Sequence, residues 1–150
     1  MTTATHITAR TARSAFSIPA LNRPVAVLGA VAAAVLLNLI VWLIGAAAGG
    51  TFEISNAGQV QDVAPGGIVT LTVVPLLIGL TAAALLSYKW IAVLRLAALI
   101  GSVLAVGTIA LTLSTNFDTP SKIALSVTHL TLVPALVIAT EGIRRNLLDR

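Results

Sequence analysis

The sequence has no cysteine and very little charge: 9% of its 150 residues are Asp, Glu, Lys or Arg, and 4% are aromatic. Without cysteine there are no disulfides, no thiol redox chemistry and no thiolate-bound metals, which rules out the four-helix thiol oxidoreductases of membranes. A soluble domain carries about 25% charged residues, so a chain this poor in charge is not solvated on every side. Histidine is scarce too, with His6 near the N-terminus and His129 inside a long apolar run. A haem between two intramembrane histidines is excluded on that count, and hydrolytic zinc lacks its second and third ligands.

What is present is aliphatic. Hydrophobic residues make up 57% of the chain and the mean hydropathy is +1.01. Crossing about 30 Å of hydrocarbon takes about 20 apolar helical residues, and four runs qualify: 25–48, 68–88, 91–114 and 121–143. None shows the period-two alternation of an outer-membrane barrel. The expected fold is all-α, an antiparallel four-helix transmembrane bundle running up-down-up-down with a longer first outer loop. Residues 1–24 and 144–150 read as basic cytoplasmic tails around a membrane domain at 25–143. In the loop 49–67, Phe52, Ile54 and Val60 flank the turn-prone Asn56–Ala57–Gly58, a pattern compatible with a small hairpin or with a disordered loop.

The sequence pI of 10.8 does not point to nucleic acid, because the bases are dispersed and flank apolar runs. Eight of the nine, Arg10, Arg13, Arg23, Lys89, Arg95, Arg144, Arg145 and Arg150, fall on one side of the four runs. The positive-inside rule then places both termini in the cytoplasm of a multi-pass protein of the bacterial inner membrane. Lys122 is the exception, and it is expected to snorkel outward or to pair with Asp118. The first run exceeds the 7–15 residues of a signal-peptide core, so the mature chain is expected to retain Met1 or Thr2.

Smaller features agree with this layout. Thr119 and Pro120 suit the N-cap and first position of the fourth helix. Tyr88, Lys89 and Trp90 read as an interfacial anchor, and Arg144 and Arg145 as a second one that pairs with Glu141. The segments LTVVPLLIGLT (71–81) and LTLVPALVIAT (130–140) match at six of eleven positions. Both lie on outside-to-inside runs, so two tandem helical hairpins are one reading, against chance similarity of aliphatic segments. Pro75 and Pro134 are expected to kink their helices and free the carbonyls of Leu71 and Leu130, with Thr72 and Thr131 close by to serve them. Small residues repeat along each run, among them Ala26, Ala30, Ala34 and Asn38 in the first and Gly79, Ala83 and Ser87 in the second. These stripes are where membrane helices approach closely.

At 1.5 Å per residue, Asn38, Thr108 and His129 lie at similar depth, with Ser126 one turn from the histidine. They form a candidate intramembrane polar layer. In its structural version, neutral His129 hydrogen-bonds Asn38 or Thr108 and fixes helix register. In its functional version, the imidazole relays a proton or binds a ligand, since an ionisable group in a span is a functional hypothesis by default.

The stretch DTPSKIALSVTHLTLVPALV (118–137), with its four spans and acid-bearing outer loops, resembles a family of small four-helix integral membrane proteins of unknown function from actinobacteria. Asp118, Ser121 and His129 carry the resemblance, which implies the fold and no mechanism. The residues indicate no catalytic, cofactor-binding or metal-binding site and no cofactor. They indicate a non-enzymatic structural or accessory subunit whose partners are membrane lipids and either a second copy or a partner membrane protein. One alternative is a small transporter or permease subunit built on His129, although the first span offers Asn38 where four-helix multidrug exporters depend on an acid. A lipid- or quinone-binding protein is the other alternative.

Overall fold

A computed structural model describes residues 18–56 and 59–149. The expected contributions of Arg10, Arg13 and Arg150, the N-terminal residue and the hairpin turn at Ala57–Gly58 lie outside the described residues. Four helices, α1 (Arg23–Ala47), α2 (Pro65–Leu86), α3 (Val93–Ser114) and α4 (Thr119–Leu148), are joined by loops, and the α1–α2 connection carries one short hairpin, β1 (Glu53–Asn56) and β2 (Gln59–Asp62). All four helices are long and apolar enough to cross a membrane, and they pack on one another as an all-α bundle. Helix α4, at 30 residues, is about 45 Å long, well beyond the hydrocarbon thickness. It extends five residues past the apolar run at its C-terminal end, which puts Arg144 and Arg145 on helix rather than in a tail.

The helix ends follow from local chemistry. The Asn22 side chain accepts from the Val25 amide, with Pro24 in the first turn of α1. At the other end, Gly49 adopts φ 90° just past the Ala48 cap, the left-handed stop that glycine takes most readily. For α4 the cap is Asp118, not Thr119: its carboxylate accepts from the Ser121 amide at 2.9 Å, which moves Thr119 and Pro120 into the first turn. A carboxylate at this position also complements the positive end of the helix. Helices α2 and α4 both continue through Pro75 and Pro134.

Packing is asymmetric. Helix α4 lies along both α1 and α3, and α2 lies chiefly along α1, with slighter contact to α3 and α4. Two apolar clusters result. The larger, with Ala34, Leu80, Leu94, Ala139 and Ile143, fills the end where the chain enters α1. The smaller, with Phe52, Ile68, Ala124 and Leu125, lies beneath the hairpin. The remaining surface is covered with exposed leucine, isoleucine and valine, the side chains suited to face lipid. Ala26, Ala34, Asn38, Ala83 and Ser87 are buried as their stripes suggest, but Gly79 is exposed, with open space where a Cβ would stand. Helix α2 turns its small-residue stripe inward only over its last two turns.

Candidate functional site

Three polar assemblies lie along the axis of the bundle. The outermost is built on Asp118. Besides capping α4, its carboxylate accepts from Ser121 Oγ at 2.6 Å, Thr51 Oγ1 at 2.8 Å and the Thr51 amide at 3.0 Å. With the Ser121 hydroxyl and amide donating first, and Thr51 after them, the carboxyl is held far below the usual carboxylate range. Ser121 Oγ in turn accepts from the Phe52 amide at 2.9 Å. Phe52 is 2% exposed and has φ 56°, a left-handed conformation that is uncommon for a bulky residue. Several contacts hold it there: the Ser121 bond, the Val63 amide donating to its carbonyl, and its ring 5.4 Å from that of Trp42. Trp42 Nε1 also donates to the Val63 carbonyl at 3.0 Å. The hairpin is thereby fastened to α1 and α4. Lys122, expected to pair with Asp118, forms no salt bridge with it; two hydroxyls and two amides already surround that carboxylate.

The second assembly sits between the two apolar clusters. Asn38, 2% exposed, donates from Nδ2 to Thr72 Oγ1 at 2.9 Å, and Thr131 Oγ1 donates to Asn38 Oδ1. Helix register explains the meeting. Gly45 faces Ala124, and stepping seven residues along each antiparallel helix brings Asn38 opposite Thr131. Arg23 meets Ser87, and stepping fifteen residues along each brings Asn38 opposite Thr72. The two threonines are the paired positions of the internal repeat. Their hydroxyls were expected to serve the carbonyls of Leu71 and Leu130; they turn to Asn38, and Thr131 also lies 2.8 Å from the Thr128 carbonyl.

The other residues of the candidate polar layer make their hydrogen bonds elsewhere. Thr108 Oγ1 donates to the Leu104 carbonyl at 2.7 Å. His129 Nδ1 lies 2.7 Å from the Leu125 carbonyl, not on Asn38 or Thr108. A carbonyl only accepts, so Nδ1 is the donor in this contact. Ser126 Oγ is buried and has no partner among the described residues. The expected layer therefore divides into an interhelical cluster on Asn38 and separate groups on α3 and α4. A sequence states the depth of a residue but not the rotation of its helix. The Thr-x-x-Pro repeat was the available signal for the true partners.

At the third assembly the helix ends gather Arg23, Lys89, Arg95, Arg144 and Arg145. Arg23 Nε donates to the Ala84 carbonyl and to Ser87 Oγ, each at 3.1 Å, answering the open carbonyls at the end of α2. Its guanidinium lies 3.7 Å from the centroid of the Tyr88 ring, close enough for a cation–π contact. Tyr88 and Trp90 are otherwise exposed. Glu141 forms a fork with Arg144 at 2.7 and 2.8 Å and takes Arg145 Nε at 3.3 Å, the ion pair expected from the spacing. Arg145 Nη1 also donates to the Ile18 carbonyl, and the Leu21 amide to that of Gly142, which fastens the segment before α1 onto α4.

Among the described residues there is no cluster of three His, Asp or Glu that would hold a metal ion. No curated protein and no solved structure matches the chain. Residues 18–146, which take in the whole bundle and all three polar assemblies, match the model of a family of unknown function, DUF6069, and the chain belongs to that family.

Proposed function

We propose that this is a non-catalytic, multi-pass protein of the bacterial inner membrane with both termini in the cytoplasm. It serves as a structural or accessory subunit beside a partner membrane protein or a second copy. The observation that carries this reading is the Asn38 cluster. Buried polar side chains of α1, α2 and α4 bond one another through Asn38, while Thr108, Thr112 and Thr140 bond their own helices. Polar groups arranged in this way rivet helices together; a transport path needs groups left open to a cargo. The basic end built from Arg23, Lys89, Arg95, Arg144 and Arg145 supports the orientation.

A second reading, a small transporter or permease subunit, draws on one specific feature. Ser126 Oγ has no partner among the described residues, and the imidazole of His129 stands one turn away. Proteoliposomes carrying a pH-sensitive dye separate the two. Under an imposed potential, the native protein and His129→Leu are expected to show the same proton leak as empty vesicles. A flux that the native protein supports and His129→Leu abolishes would replace the accessory reading with the transport one.

A further inference from the structure

We infer that the basic end of the α3–α4 groove is a binding site for the phosphate headgroup of an anionic phospholipid. The recess there has a volume of about 150 Å³ and is lined by Leu94, Arg95, Ala98, Val137, Thr140, Glu141 and Arg144. Its chemistry is divided in the way a lipid is. Ala98 and Val137 form its apolar side over the buried Leu94, suited to the first methylenes of an acyl chain. Arg95 and Arg144 supply the charge.

The one acid in the recess does not oppose an anion. Both oxygens of Glu141 are occupied by Arg144 and Arg145, so its charge is answered from within α4. Arg144 uses Nε and Nη2 on Glu141, and its Nη1 has no hydrogen bond among the described residues. Arg95 is exposed and makes no salt bridge or side-chain hydrogen bond among the described residues. The recess therefore keeps one guanidinium, that of Arg95, without a partner among the described residues. Guanidinium groups bind phosphate oxygens through paired N–H donors. A free phosphate would satisfy the arginines but leave the apolar wall against water, which is why a lipid is the better occupant. This inference does not depend on which face of the membrane the basic end occupies.

Native mass spectrometry of the full chain in detergent tests it by comparing phosphatidylglycerol with phosphatidylcholine of the same acyl chains. The native protein is expected to prefer phosphatidylglycerol. Since a basic residue at a membrane surface contributes a factor of roughly five in anionic-lipid binding, Arg95→Gln is expected to reduce the preference by about that much. Lys89→Gln, at the same end but outside the recess, is expected to change it by less than about two-fold. Equal affinity for the two lipids, or a preference untouched by Arg95→Gln, overturns the site. Equal loss in Lys89→Gln also overturns it, by showing diffuse surface attraction, and so does equally strong binding of soluble glycerol phosphate, which would assign the recess to free phosphate.

Discussion

If the Asn38 cluster holds three helices together, its hydroxyls should each carry a measurable share of bundle stability. The perturbations are Thr72→Val and Thr131→Val, which remove a hydroxyl while almost conserving shape, combined with Asn38→Leu in double-mutant cycles. When a membrane protein unfolds within lipid its helices stay formed, so only bonds between helices are lost. Interhelical hydrogen bonds in that reference state average about 0.6 kcal/mol and reach about 1.7. Each Thr–Asn38 coupling is expected in that range, and Asn38→Leu, which loses both, is expected to cost between about 1 and 3 kcal/mol. The contact of Thr131 with the Thr128 carbonyl is intrahelical, survives unfolding and adds nothing to the difference. Thr108→Val is the control, because its hydroxyl bonds only Leu104 in its own helix, and it should be neutral within about 0.5 kcal/mol. Reversible unfolding in mixed micelles, followed by helix separation, measures all of these. Couplings of zero for both threonines, or a Thr108→Val as costly as Thr131→Val, would refute the reasoning.

Two further outcomes are expected. A Cβ at Gly45 would stand 2.5 Å from Ala124 Cβ and 2.8 Å from Phe52 Cζ, whereas one at Gly101 would meet only the flexible end of Leu136, at 2.8 Å. Gly45→Ala should therefore cost about 1–3 kcal/mol in the same unfolding assay and Gly101→Ala less than about 1, and the reverse order would contradict the packing. Because the chain lacks cysteine, Gln61→Cys and Lys89→Cys each introduce a unique thiol. A membrane-impermeant maleimide on intact cells should label the first and spare the second, and the opposite pattern inverts the orientation.

The four spans were legible because hydrocarbon thickness sets a minimum apolar length and nothing else in this composition buries so much aliphatic surface. The Glu141 fork was legible because it depends on residues close in sequence, whereas the loop before α2 was open between a hairpin and a disordered segment and forms the hairpin. The Asp118 knot was missed, since the sequence reading put the cap at Thr119 and paired Asp118 with Lys122. The spacing of Asp118 to Ser121 matches a helix cap, but Thr51 and the Phe52 amide arrive from 67 and 69 residues away, and no local pattern announces them. The hardest feature was helix rotation. Asn38, Thr108 and His129 agree in depth, yet a rotation of one helix by a quarter turn changes which of them meet. Depth follows from counting residues; rotation follows from which small residues touch, as at Gly45 with Ala124.

The repeat shows why the meeting point is an asparagine. Thr72 and Thr131 are like groups carried on two parallel helices, and they reach Asn38 from different neighbours. A residue between two hydroxyls that must accept from one and donate to the other needs both functions on one rigid end. A primary amide has both, whereas an ionised carboxylate only accepts and an ammonium only donates. The repeat does not extend to this position. If the G-x-V-x-A patterns that start at Gly29 in α1 and at Gly101 in α3 correspond, the counterpart of Asn38 is Ala110, which is exposed. The packing accounts for the difference, since α1 lies between α2 and α4 while α3 rests chiefly on α4. A polar residue is held where two threonine-bearing helices can satisfy it, and on α3, where only one lies alongside, the same depth carries a methyl group toward lipid.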